Sequence, residues 1–197
     1  MENNRMIPMR KGNESFINSG SDEVFTVADF WSWAYSDLNS NVLRGKLAEY
    51  LVTKALYGKP VSARREWDLY DVQYGDLKIE VKTAGVFQSF TDKPSQHIRF
   101  DIARKKPDMA PADVEPARHA DVYVFCLHDP HLKSNAPMAG PANPLDLDEW
   151  EFRVIPTDVL NEKYGNQKSI ALSQLKRLDR DGCKFAQLSD KILKCKK

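Results

Sequence analysis

No stretch of the 197-residue chain approaches the roughly 18 consecutive apolar residues that a membrane-spanning helix requires, so no segment reads as one that crosses a bilayer. Cysteine is scarce. Cys126, Cys183 and Cys195 are an odd number at wide spacings, which fits no disulfide framework and agrees with a reducing compartment. The opening residues, MENNRMIPMRKGNESFINSGSDE, lack the apolar centre of a secretory signal, and the expected location is the cytoplasm. Excess charge of either sign is missing as well: Lys plus Arg number 29 against 28 for Asp plus Glu, a net charge of +1. That balance excludes a bulk-basic coat for nucleic acid and leaves a local basic patch as the only means of gripping one. There is no Gly-x-Ser-x-Gly, so the strained elbow of a serine hydrolase has no support.

What is present suits one soluble domain: 42% hydrophobic and 29% charged residues, in a chain long enough for a sizeable core and short for two. Residues 1–22 are polar and aperiodic and read as a flexible N-terminal arm, leaving 23–197 as the domain. Thr26 followed by Asp29 predicts a capping box, with Phe25 and Phe30 at staple positions, so TVADFWSWAYSDL reads as a helix. A second helix is expected over residues 41–56, stopped by Gly58 and Pro60. REWDLYDVQYGDLKIEVKT then reads as a hairpin turning near Gly75 and Asp76. Ile98, Phe100 and Ile102 alternate as a strand does, and DVYVFCL is apolar on both faces, as a central strand is. Pro107, Pro111 and Pro116 argue against a long helix between those two. Residues 129–148 read as a surface loop, EWEFRVI as a strand and PTDVLNEKYG as a helix opened by Pro156.

The hairpin's second strand, LKIEVKTAG, carries the chemistry. Lys78, Glu80 and Lys82 alternate with Leu77, Ile79 and Val81 and therefore share one face. Asp68 and Asp71 lie 12 and 9 positions before Glu80, on the partner strand. A carboxylate from each strand beside a lysine is suited to Mg²⁺, whose hard ligands are oxygens, with the amine serving an attacking water. Register decides which aspartate takes part: a two-residue turn at 75–76 sets Asp71 across from Glu80, and a three-residue loop sets Asp68 across from Lys82. Glu49, on the preceding helix among Val42, Gly45, Val52 and Leu56, is a third acid whose charge needs a partner, either a metal or a salt bridge to Arg44 or Lys46. A rival metal set, Cys126, His128 and His131 in CLHDPHL, lacks an obvious fourth ligand, and Cys126 reads better as a core residue.

The order of RGKLAEYLV, EWDLYDV and IEVKTAG resembles the PD-(D/E)xK nuclease superfamily over about residues 41–88, a helix with an acid followed by a hairpin bearing an aspartate and then (Asp/Glu)-x-Lys. The resemblance implies a restriction-endonuclease-like α/β (α+β) fold, a mixed sheet flanked by helices in a single domain. It implies a magnesium- or manganese-dependent endonuclease, a hydrolase of phosphodiester bonds with DNA as the favoured nucleic acid. By the same resemblance Asp68, Glu80 and Glu49 bind the metal, Lys82 serves the water and Gln88 reaches the site, and Asp68 is preferred to Asp71 on spacing. Two departures stand out: Trp67 replaces the motif's proline, and the proline-broken segment 104–119 occupies the place of an expected helix. RFDIARKK supplies the best local basic patch, Arg99, Arg104, Lys105 and Lys106, for nucleic-acid contact. A homodimer is left open. The alternative is a nuclease-fold module without activity that binds nucleic acid or a protein partner.

Overall fold

The computed structural model describes residues 7–59, 62–64, 69–91, 93–107, 110–111, 113–133 and 142–196. Two short strands, β1 (Ser15–Asn18) and β2 (Ser21–Thr26), pair antiparallel ahead of helix α1 (Val27–Tyr35). The expected arm is thus ordered into a hairpin from Ser15 on. The capping box at α1 is present: Asp29 Oδ2 accepts from the Thr26 amide at 2.6 Å and the Thr26 hydroxyl accepts from the Asp29 amide at 3.4 Å. Phe25 packs on Phe16 of β1, with ring centroids 4.7 Å apart.

Helix α2 (Asn41–Tyr57) begins at Ser40, whose hydroxyl accepts from the Leu43 amide, and ends at Gly58 in the left-handed region at φ +71°. Its buried stripe is Arg44, Ala48, Leu51, Val52 and Leu56. Strands β3 (Val72–Tyr74) and β4 (Leu77–Gly85) follow as the expected hairpin. Strand β5 (Arg99–Asp101) lies in the crossover from β4 to β6 (Val122–His128), and β7 (Trp150–Pro156) returns antiparallel. Helix α3 (Thr157–Tyr164), strand β8 (Ser169–Ala171), and helices α4 (Leu172–Leu178) and α5 (Phe185–Leu193) complete the chain.

The result is a mixed α+β domain, single and compact, with five α-helices among the described residues. Its main sheet runs β3-β4-β6-β7, with β4 and β6 parallel and the outer strands antiparallel to them. Residues 122–128 are all buried, as an apolar strand covered on both faces must be. Side chains of alternate parity feed two cores. Ile79, Val81, Val124 and Cys126 meet α2 and α5, while Tyr123, Phe125 and Leu127 meet Phe100, Ile170, Leu160 and Leu175 from β5, β8, α3 and α4. Cys126 is a core residue, as read from the sequence.

The crossover holds no helix among its described residues, in keeping with its prolines. Arg118 replaces that helix as a brace. Its guanidinium donates to the Ile102 carbonyl at 2.9 Å, to Asn161 Oδ1 at 2.7 Å and to the Gln167 carbonyl at 3.3 Å. Strand β5 pairs with β8 in a separate two-stranded sheet, and the Ile98, Phe100, Ile102 face is turned into the second core.

The turn between β3 and β4 consists of Gly75 and Asp76, since Tyr74 pairs with Leu77. Gly75 has φ +60° and Asp76 is not positive, the signature of a type II′ turn, whose first central position favours glycine. Gly75→Ala is expected to destabilise the protein by about 1–2 kcal/mol, the cost of a Cβ in the left-handed region, measured by urea denaturation against wild type.

Candidate functional site

The turn sets everything that follows at the hairpin. With Val72 opposite Ile79, the next position outward puts Asp71 beside Glu80. The Asp71 amide donates to the Ile79 carbonyl at 3.0 Å. Its carboxylate Oδ2 then accepts from the Val81 amide at 2.7 Å, taking the place of a main-chain acceptor where β3 leaves the ladder. Of the two registers open to the sequence, this is the two-residue turn. Asp68, which the resemblance prefers, lies outside the described residues; Asp71 is the aspartate brought to Glu80.

Glu80 and Lys82 point from β4 towards the second core, where their neighbours on β6 are Tyr123 and Phe125. Glu80 is buried and cannot stay charged there alone. Lys82 Nζ lies 2.5 Å from Glu80 Oε1 and Lys105 Nζ lies 3.2 Å from the same oxygen. Lys105, expected on a nucleic-acid face, therefore reaches from the crossover to Glu80 while its side chain stays 56% exposed.

The electrostatics follow from this packing. Burial, then the charge of Glu80 and in smaller part that of Glu49, push the Asp71 carboxyl up to about 6 from 3.8, against the Val81 hydrogen bond and the Lys82 charge. For Lys82, burial works against the ammonium, but the charge and hydrogen bond of Glu80 outweigh it, and its pKa is raised. Lys82 is thus a fixed cation at neutral pH, unable to take a proton from water. Tyr123 is raised too, by burial first and then by Glu80.

Glu49 is nearly buried at the margin of α2's core stripe, and its carboxylate is held by Arg64 through Nε to Oε2 and through Nη2 to Oε1 at 2.9 Å. The partner is neither Arg44 nor Lys46, the two suggested by proximity in sequence. Val42, expected on the same face, is exposed. Gln88 accepts from both terminal nitrogens of Arg44 at 3.4 Å and donates to the Gly85 carbonyl at 3.1 Å, so its amide is committed to α2's arginine.

Nothing in the sequence pattern singles out Arg44 as a buried group. It is 2% exposed, with Nη1 on the Asn39 carbonyl at 2.7 Å and Nη2 on Asn41 Oδ1 at 2.5 Å. Gly85 makes room for it: a Cβ there would stand 2.8 Å from Nη1. A glycine closing an otherwise β-forming strand is the one available signal.

In the basic patch, Arg99 donates from β5 to the Ser169 hydroxyl at 3.1 and 2.9 Å. Arg104 lines an open cavity of about 300 Å³ with Ala103, Glu115, Pro116, Asn166 and Lys168. Lys106 is exposed. Cys126, His128 and His131 have separate partners: the thiol donates to the Val124 carbonyl at 3.9 Å, His128 Nε2 meets Glu149 Oε2 at 3.0 Å, and His131 Nδ1 meets Asp129 Oδ1 at 2.7 Å. Among the described residues, no group of three or more His, Cys, Asp and Glu side chains is gathered closely enough to hold a metal ion. No helix among them is long and apolar enough to cross a membrane. No protein-family model, curated protein or solved structure matches the chain.

Because the folded-state value of Asp71 is raised, the folded protein holds its proton more tightly than the unfolded chain between about 3.8 and about 6. The stability it contributes is full below that window and lost as pH rises through it. Asn at position 71 keeps an acceptor for the Val81 amide and does not titrate. Urea melts at intervals from pH 4 to 7 are expected to show wild type losing stability relative to Asp71→Asn as pH rises, with no further change above pH 7.

Proposed function

We propose that the protein is a metal-dependent nuclease of the PD-(D/E)xK type, with the restriction-endonuclease-like fold that the resemblance implies. The observation that carries this reading is the hairpin register that sets Asp71 against Glu80 with Lys82 Nζ 2.5 Å from the glutamate. The order helix, aspartate strand, glutamate-x-lysine strand, with β4 then pairing parallel to β6, supports it. The crossover, without a helix among its described residues, departs from the family's plan.

The donor chemistry fits Mg²⁺ or Mn²⁺. Asp71 and Glu80 offer hard oxygens, and Mg²⁺ retains several waters, so a pair of protein carboxylates suffices. The charge pressure on Asp71, raised by Glu80 and Glu49 beyond the effect of burial, is what a cation would relieve. When bound, such an ion supplies charge neutralisation and a more acidic water. The chain's own share is otherwise. Lys82, held protonated by Glu80, faces the negative charge that builds on a phosphodiester under attack, and being fixed in place beforehand it needs no reorganisation. Lys105, mostly exposed and one step from Glu80, together with Arg104, Lys106 and Arg99 along the crossover, meets the flanking phosphates of the nucleic acid, DNA by preference. Glu49 sets the local field and positions Arg64.

A second reading keeps the fold without the chemistry. It is favoured by the closure of Glu80 by two lysines and of Glu49 by an arginine, which leaves a module able to bind nucleic acid or a protein partner without cutting. The two readings separate on incubation of the purified protein with single- and double-stranded DNA and RNA, with Mg²⁺, Mn²⁺ or EDTA. The nuclease reading expects cleavage with either ion, none with EDTA, and a fall of about 10²- to 10³-fold in Lys82→Ala, the size of effect seen when one preorganised electrostatic group is removed. Cleavage that survives EDTA, or is unchanged in Lys82→Ala, overturns it; retention of nucleic acid without cleavage in any condition favours the binding module.

A further inference from the structure

The N-terminal hairpin and α1 bury almost nothing of their own. No residue of α1 is buried, although the nine-residue helix reads VADFWSWAY. Val24 is 101% exposed and Trp33 85%, and Phe16, Ile17, Phe25, Phe30, Trp31 and Tyr35 are exposed as well. A helix this short is marginal in water, and so is a lone two-stranded hairpin. Large aromatic side chains carry roughly 150–250 Å² each, so these six aromatics and two aliphatics leave on the order of 800 Å² of apolar surface in all, spread over both faces of the hairpin and around α1. Clustered apolar side chains left in water on this scale mark a docking surface.

Charge narrows the occupant. From Gly12 to Leu43 the sequence has no Lys or Arg and five acids, Glu14, Asp22, Glu23, Asp29 and Asp37. The segment's net charge is −5 in a chain of +1, so the remainder carries +6. A polyanion is the wrong partner for such a surface, whether nucleic acid or an anionic bilayer, because like charge opposes its approach. A basic protein face with exposed apolar groups is the right one, and the chain carries one itself. The outer side of α2 presents Val42, Tyr50 and Tyr57 at helical spacing, with Lys46 and Lys54 on the same helix. Lys46 Nζ already lies 5.9 Å from the centre of the Tyr35 ring, so the aromatic surface of α1 continues onto this stripe.

We infer that this surface is the interface of a homodimer, in which the aromatic α1 of each copy, set within the acidic N-terminal segment, seats on the α2 stripe of the other. The arrangement is self-complementary, as a two-fold interface must be, since each copy offers both halves. It stands independently of the nuclease reading.

The test is sedimentation velocity on the full chain from 1 to 100 μM, with circular dichroism and thermal melts as the check on folding. Wild type is expected to sediment as a dimer, and Trp33→Glu and Tyr50→Glu each as a monomer with unchanged spectra. An equimolar mixture of the two variants restores association: one of its two contacts then joins an intact α1 to an intact α2, which neither variant alone can form. A monomeric wild type at 100 μM overturns the inference. So does a dimer indifferent to Trp33→Glu, or one lost in Trp33→Glu and kept in Tyr50→Glu, which would mean α1 meeting α1. Should wild type stay monomeric and instead pellet with phosphatidylcholine vesicles in a Trp33-dependent way, the occupant is a lipid surface and the inference falls.

Discussion

The parallel pairing of β4 with β6, seven residues on each strand, governs the other placements in this fold. It joins two strands separated by a crossover of some three dozen residues and covers β6 completely, while β4 keeps Lys82, Thr83 and Ala84 partly open. Once β4 lies beside β6, the odd residues Ile79 and Val81 go into the core under α2, and Glu80 and Lys82 are left facing Tyr123 and Phe125. Those two charges then have little water to turn to. A carboxylate in such surroundings must find cations close by, and it finds Lys82 and Lys105. The raised pKa of Lys82 and that of Asp71 both trace back to this placement, one through attraction to Glu80 and the other through burial and repulsion by it.

The same pairing explains the second buried polar group. At the far end of β4, Gly85 stands beside His128, and the space its missing side chain leaves is taken by Arg44. A guanidinium that deep satisfies its terminal nitrogens on Asn39, Asn41 and Gln88, so α2 is tied at its first turn to the end of the strand that carries Glu80 and Lys82. Burial lowers the pKa of Arg44, with Asp37 acting against that, and the group nevertheless remains a cation at any ordinary pH. The helix bearing Glu49 and the strand bearing Glu80 are thereby held at a set separation.

Several features are legible in the order of the residues alone. The Thr26 and Asp29 capping box, the helix ending at Gly58, the buried apolar strand read from DVYVFCL and seen at Val122–His128, and the helix opening at Pro156 are local matters, written in hydrogen-bonding side chains and in the period of apolar residues. That the described residues of the crossover hold no helix is legible too, because proline removes donors wherever it stands. The hairpin can be read in the same way, but its register cannot. Hairpin loops of two and of three residues are both common, and it is the positive φ of Gly75 together with the pairing of Tyr74 to Leu77 that distinguishes them.

Side-chain type and spacing within a few positions are thus enough to say which residues can do chemistry and which segments must be strands or helices. Which of those residues meet is a matter of tertiary packing. Asp71 takes the place beside Glu80, Glu49 turns to Arg64 and not to its helical neighbours, Lys105 crosses to Glu80, and Gln88 is claimed by Arg44. Each of these pairings joins positions 9 to 44 residues apart. Their geometry is fixed by how sheets and helices pack, because a charge forced out of water takes whichever opposite partner the fold brings within reach, and nearness in sequence gives that partner no advantage.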